Sequence, residues 1–483
     1  MTAVAERQQS RPVYGDSILI QRRHQMLGTA WLAWFVNYLD RTKTAALMPL
    51  IAASLVMSTA QVGWVNFGFF LGYACVQPLA GFLTDKLGPR KMLALSVGAF
   101  AVFTWTMALV GDWQELLVRN VLFGISQGCE VTAGARLVAT WFPQRTRGRA
   151  FSVHQSAYTI APVLVPFVAV PLAQALGSWR WSFIIISLLG VPVLLLIDRF
   201  VSDRPERNRR VSEQELVTIF GADEAQKPGN VDDPAQARSS AELPPGERVT
   251  PYRAIFVNRS VLLMLVAGFF GLLASWGLTT WLPLYGTTQL KLPLLLAGTL
   301  ASAVWGGAFC GVMIGGWLSD KVFGTKRTPI WLLGGIGMAL AITWAATFQR
   351  GVPLIEAYTA FFVAGFCSAW SPVGTLFAPY LGELLTPGAV GRSLGVVVLG
   401  GMVGSAVAQP VTAALVIHTA SGPQYWPAFL LFAACGIVSC ICVAGMVEPR
   451  VRRTYLGYLL SGRREGTWAP DGSGQPAETA REA

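Results

Sequence analysis

Apolar runs of bilayer length recur along almost the whole chain. No other feature narrows the possible folds so far. Twelve are counted, at about 26–49, 61–83, 91–111, 114–140, 150–176, 181–200, 261–286, 293–318, 328–349, 354–382, 391–418 and 426–447. Each is close to the roughly 20 residues that a helix needs to cross a hydrocarbon core. Gly and Pro inside them are tolerated where neighbouring helices satisfy the freed backbone groups. The chain therefore reads as an all-α, multi-pass membrane protein whose largest partner is the lipid bilayer. Its charged fraction agrees, at 13% of 483 residues, against about 25% in soluble proteins. The polar, basic start from Met1 to Gln25 has no apolar core or cleavage site, so no removable signal peptide is expected. The net charge of +11 comes from short loops and tails. It sets topology and is not a nucleic-acid footprint. The seven cysteines lie in apolar runs without metal-ligand spacing, and they read as small hydrophobes. No metal or other cofactor is expected.

The first run carries a costly feature, Asn37-Tyr38-Leu39-Asp40-Arg41-Thr42-Lys43. An ionisable side chain at membrane depth costs at least about 2.5–3.5 kcal/mol on insertion scales. Such groups are kept where they face a partner or a water-filled cavity. Asp40 and Lys43 are three apart and share a helix face, as do Tyr38 and Arg41. One reading is a buried pair that only fixes helix packing. The other, favoured here, is a binding or proton-relay site.

The composition changes between the sixth and seventh runs. Residues 201–260 form a polar linker, within which Val211 to Leu216 opens a short surface helix capped by Ser212. This divides the chain into an N-terminal tail (1–25), a six-helix bundle (26–200), the linker, a second six-helix bundle (261–447) and a C-terminal tail (448–483). The halves echo each other. Gly81-Phe82-Leu83-Thr84-Asp85-Lys86-Leu87-Gly88-Pro89-Arg90-Lys91 follows the second run, and Gly316-Trp317-Leu318-Ser319-Asp320-Lys321 follows the eighth. Halves with the same even number of spans are parallel, related by an axis along the membrane normal. Lys and Arg crowd one side, including Lys86, Arg90, Lys91, Arg145, Arg147, Arg149, Lys326 and Arg327. The loops on the other side hold Arg180, Lys291 and Arg350. Both termini are therefore expected in the cytoplasm.

These residues resemble the major facilitator superfamily. Gly81 to Lys91 is similar to its signature loop after the second helix, with Pro89 as an insertion between Gly88 and Arg90. Gly316 to Lys321 resembles the weaker second copy. Within the superfamily, Asn37 to Arg41 resembles the first helix of the anion:cation symporters, which carry sugar acids and other organic anions. Tyr73 with Gln77-Pro78, Trp141-Phe142-Pro143, Trp179 to Phe183 and Trp281 to Tyr285 also fit. The resemblance spans about Met26 to Pro449. It implies the twelve-helix fold of that superfamily and a multi-pass protein of the cell membrane.

The resemblance also implies roles. Arg41 would hold the anion, since a guanidinium stays charged and grips a carboxylate with two bonds. Tyr38 and Tyr73 would add hydroxyls, with ordinary packing as their alternative. Apart from the resemblance, Gln155 and Tyr158 in the fifth helix supply polar groups, and Trp276, Trp370 and Ser371 are the polar or aromatic choices for the substrate site in the second half. Proton coupling needs a carboxyl that burial makes protonatable and that nearby cations keep ionised. Asp40 sits beside Arg41 and Lys43, and the sequence leaves its balance open. Many family members keep the coupling glutamate at the position that is Gln127 here. The acid in this chain is Glu130, three residues on and nearly on the same face, with no cation within a turn. Its alternative is a structural hydrogen bond. Arg119 is the fourth-helix arginine and joins the coupling set. Gly81, Asp85, Gly88, Arg90 and Asp320 would form a cytoplasmic latch, Asp85 meeting a helix end across the two halves or a loop arginine.

The function expected is proton-coupled symport of a small organic anion, a sugar acid or another carboxylate, by a monomer. A proton-coupled efflux antiporter is an alternative. Against it, Ala157 to Pro162 lacks the glycines of the drug-antiporter signature. A non-transporting membrane sensor is another. An enzyme is not expected, since no nucleophile–base pair or metal cluster appears at membrane depth.

Overall fold

A computed structural model describes residues 21–206, 208, 210–220, 258–322, 327–370, 380–381, 384–385, 387–420 and 422–446. The apolar runs are helices. In the first half they are α1 (Arg22–Ser54), α2 (Thr59–Leu87), α3 (Pro89–Met107), α4 (Trp113–Gly128), α5 (Glu130–Trp141), α6 (Gln144–Ala175), α7 (Trp179–Leu188) and α8 (Gly190–Phe200). The linker helix is α9 (Glu213–Phe220). The second half gives α10 (Arg259–Thr288), α11 (Leu294–Lys321), α12 (Thr328–Ala346), α13 (Leu354–Ser368), α14 (Pro387–Leu415) and α15 (Trp426–Ala444). Among the described residues, eight helical stretches are long and apolar enough to cross a membrane.

Local chemistry sets the ends. Ser58 and Gln61 form a reciprocal capping box at the start of α2. The Asp112 carboxylate accepts from the Glu115 N–H, at 2.7 Å, to cap α4. Gly88 turns the chain at φ +85°, a region that favours glycine. Pro89 then opens α3 at a position that needs no N–H. Ser212 caps α9 as the sequence suggests, accepting from the Glu215 N–H at 3.2 Å. The Glu215 side chain, however, is buried. Its two oxygens accept from the backbone N–H groups of Arg23 (2.9 Å) and Arg22 (3.3 Å), so α9 seals the first turn of α1.

Three runs depart from simple spans. The fourth is interrupted at Cys129, between α4 and α5, and the sixth at Leu189, between α7 and α8. The eleventh was expected to continue to 418. It stops at Leu415, and Ile417–Thr419 pairs antiparallel with Gly422–Gln424 instead. Gly422, at φ +122°, supplies the conformation that the turn requires.

The helix pairings of the first half recur in the second. α2 packs on α4 and α1 on α6, while α11 packs on α13 and α10 on α14. Small residues allow the close approach. A Cβ at Gly72 would lie 2.1 Å from the Val121 carbonyl oxygen, and one at Gly124 the same distance from that of Phe69. Gly307 and Gly365 do the same against Phe362 and Val304, at 2.0 and 1.8 Å. Between the halves, α2 lies along α14 and α6 along α11. Contacts gather towards the end of the bundle that holds the α1–α2 turn. The Ser302 hydroxyl donates to the Val163 carbonyl at 2.9 Å, and Thr59 lies 3.4 Å from His418.

Candidate functional site

A cavity lies between the halves. α1 supplies Arg41, Thr42 and Thr44 to Ala46, α2 Asn66, Phe69 and Phe70, α4 Asn120, and α6 Pro162, Val165 and Pro166. The second half supplies Trp276, Thr279, Thr280 and Pro283 on α10 and Gly298, Ala301 and Trp305 on α11. An aromatic layer crosses from one half to the other. The Trp305 ring meets Tyr38, Tyr158 and Trp276 at 6.4, 6.2 and 5.3 Å between centroids, and Trp276 meets Phe70 at 5.3 Å.

Arg41 is the one cation on the described wall, and only 6% of its surface is exposed. Its guanidinium carbon lies 4.4 Å from the centre of the Tyr38 ring, 4.6 Å from Tyr73, 5.0 Å from Phe69 and 5.8 Å from Trp276. Nε donates to Gln127 Oε1 at 3.1 Å, and Nη2 has no partner. Among the described residues no carboxylate pairs with it. Ring faces hold a cation by about 0.5–2 kcal/mol each, but they do not replace a counter-ion in a low-dielectric site.

Glu130 is fully buried and stands two links behind Arg41. Gln127 Nε2 donates to the Asn37 carbonyl at 3.0 Å, and Asn37 Nδ2 donates to Glu130 Oε2 at 2.6 Å. Glu130 Oε1 is left without a partner. The interruption at Cys129 puts this acid at the first turn of α5.

Asp40 faces elsewhere. Its carboxylate accepts from Lys43 and from the Thr104 hydroxyl, inside the first half. The Lys43 ammonium lies 4.5 Å from the Phe183 ring and 5.5 Å from Phe123. The pair is buried among α1, α3, α4 and α7 and does not line the cavity. This is the geometry that the packing alternative describes. Arg119 is also apart, since it binds the Thr106 carbonyl and, at 3.2 Å, Glu115 in the first turn of α4.

The other predicted residues divide. Tyr38, Tyr73, Tyr158 and Trp276 surround Arg41 or the aromatic layer. Gln155 lies against His154, whose Nδ1 is 3.3 Å from its Oε1, and it is not on the cavity wall. Trp370 packs inside the second half, its indole donating to the Gly311 carbonyl at 2.9 Å. Ser371 lies outside the described residues, and so does the side chain of Asp320 on α11. In the latch, Asp85 pairs with Arg136 of α5 at 2.9 Å, both partly exposed. Its partner is thus on a helix of the same half, neither across the interface nor in a loop. The Arg90 N–H and guanidinium bind Asp203 and Asp198, at 2.7 and 2.6 Å, again within the first half. A Cβ at Gly88 would strike the Asp203 carboxylate at 2.9 Å, and Gly81 has open space beside it.

Sequence reasoning missed Asn37 and Gln127 as connectors, and Thr44, Asn66, Phe69, Phe70 and Trp305 as wall. Asn37 and Asn66 were detectable as lone amides inside apolar runs. The aromatic residues carried no signal, because they look like any lipid-facing or core ring.

A family described as the Major Facilitator Superfamily matches residues 30–378. A probable sulfoacetate transporter of Cupriavidus necator is 31% identical over 64% of this chain and 67% of its own length. A probable galactarate/D-glucarate transporter of Escherichia coli (strain K12) is 25% identical over 88% of this chain and 94% of its own. Among solved structures, the xylose transporter of E. coli in a partially occluded inward open conformation superposes with a TM-score of 0.67. The match covers 88% of this chain and all of that one at 16% identity, which supports the fold alone.

Proposed function

Since the chain belongs to the Major Facilitator Superfamily, a family of multi-pass membrane transporters and not of enzymes, we propose that it imports a small organic anion by alternating access, coupled to protons as a symporter. The carrying observation is Arg41, a buried cation on the cavity wall that has no carboxylate partner among the described residues. A charge so placed is stabilised by an anion that arrives from outside. The names of the sulfoacetate and galactarate/D-glucarate relatives agree with an acidic cargo. The proposed architecture is twelve spans in two bundles of six, with both termini in the cytoplasm. The recurring helix pairings and the glycine contacts support two equivalent bundles.

Glu130 is the proposed coupling acid. When protonated, it leaves Arg41 electrostatically free for the anion. When ionised, it competes through Asn37 and Gln127 for the same cation, and the anion is released. Asp40, held by Lys43 and Thr104, is proposed to support this helix rather than to relay the proton.

The test is uptake of labelled organic acids into proteoliposomes with and without an imposed inward proton gradient. Wild type is expected to accumulate substrate only with the gradient. Arg41→Ala loses binding and uptake, and Glu130→Gln keeps exchange but loses acceleration by the gradient. Uptake indifferent to the gradient removes the coupling role of Glu130, and binding without flux favours a sensor.

A further inference from the structure

We propose that the cavity prefers a monoanionic acid with a flat apolar body, an arenecarboxylate, to a polyhydroxylated sugar acid. This inference rests on the anion reading of the same cavity. It follows from what surrounds the free end of Arg41. Four aromatic rings stand within 5.8 Å of the guanidinium carbon. Beyond them the wall is Phe70, Trp305, Pro162, Val165, Pro166 and alanines. An anion paired with this guanidinium therefore extends its body between rings and aliphatic surface.

The polar part of the wall is sparse and partly committed. Thr42 donates to the Tyr38 carbonyl, Thr279 to that of Ser275, and Asn120 to that of Val65. Arg41 and the unpartnered Thr44 hydroxyl remain, with Asn66 and Thr280. No Asp or Glu lines the cavity among its described residues, so the strongest acceptors for substrate hydroxyls are missing. Each sugar hydroxyl brings one donor and two acceptor lone pairs. Each one buried without a partner weakens binding by roughly ten-fold. A flat ring brings none of these demands, and edge-to-face contact with Trp276 and Trp305 adds to its burial. Small-molecule sites of this kind are mostly apolar, with a few polar groups that fix orientation.

Isothermal titration of the purified full-length protein tests this, with benzoate and phenylacetate set against galactonate and glucuronate. The aromatic acids are expected to bind at least about ten-fold tighter. Arg41→Gln abolishes that binding. Phe70→Ala and Trp305→Ala each weaken the aromatic acids about ten-fold and leave the sugar acids nearly unchanged. If a variant fails to fold, the wild-type ranking still decides. A sugar acid that binds as tightly as benzoate, in an Arg41-dependent way, overturns the preference and leaves the anion reading standing. Absence of binding by both classes, or binding that survives Arg41→Gln, overturns both.

Discussion

Arg41 and Lys43 stand two positions apart on one helix and meet opposite environments. A residue step turns an α-helix by about 100°, so Arg41 looks between the halves while Asp40 and Lys43 look into the first bundle. There the ammonium, the Asp40 carboxylate and the Thr104 hydroxyl satisfy one another. Replacing a buried pair as a unit is often nearly neutral, but removing one partner leaves an uncompensated charge and costs about 3–5 kcal/mol. Asp40→Asn is therefore expected to lower the melting temperature of the purified protein sharply. The double variant Asp40→Asn/Lys43→Met recovers most of that loss. An unchanged melting temperature in the single variant would remove the pair from the stability account. The sequence showed that three charges inside an apolar run needed partners. Which of them pair with each other, and which one has no carboxylate beside it among the described residues, depends on what packs against each face.

At the scale of the element, glycine decides how closely α2 and α4 approach. With Gly124 against the Phe69 backbone and Gly72 against that of Val121, these helices meet with no side chain between them. A methyl at Gly124 has only a backbone carbonyl to displace. Gly124→Ala is expected to reduce the yield of folded protein and to lower its melting temperature, while Gly81→Ala, in open space, leaves both unchanged. Equal yields for the two variants would refute the close contact. The same approach fixes Phe69 and Tyr73 beside Arg41, so packing on one side of α2 shapes the cage on the other. Helix existence was legible from the apolar runs. The turn at Gly88-Pro89 was legible too, since glycine supplies the positive φ and proline starts a helix. The interruption at Cys129, the early end of α14 and the reach of Glu215 to α1 were not. The reach of Glu215 joins residues about 190 positions apart, which no local pattern shows.

For the whole molecule, the two halves share helix pairings, and they meet along α2–α14 and α6–α11. In the proposed topology the Ser302–Val163 bond and the Gly298–Pro166 contact close the outer side, so transport requires that they part. The latch residues Asp85 and Arg90 bind Arg136 and Asp198 inside the first half. Both pairs are exposed enough that each is worth no more than about 1 kcal/mol. Asp85→Asn is expected to leave the melting temperature within a degree or two and to slow exchange across proteoliposomes several-fold. Normal exchange rates would dismiss Asp85 from the conformational switch. The sequence by itself determined the membrane class, the positions of most helices, the repeated loop motif and the costly charges of the first run, among which the family resemblance picked Arg41. These follow from chain-local quantities: hydrophobic length, charge cost and motif spacing. Only the tertiary structure decided that Asp40 belongs to Lys43 and that Glu130 reaches Arg41 through Asn37 and Gln127. It alone set aromatic rings from both halves around the guanidinium. Those are contacts between residues up to hundreds of positions apart, and their geometry exists only once the helices have packed.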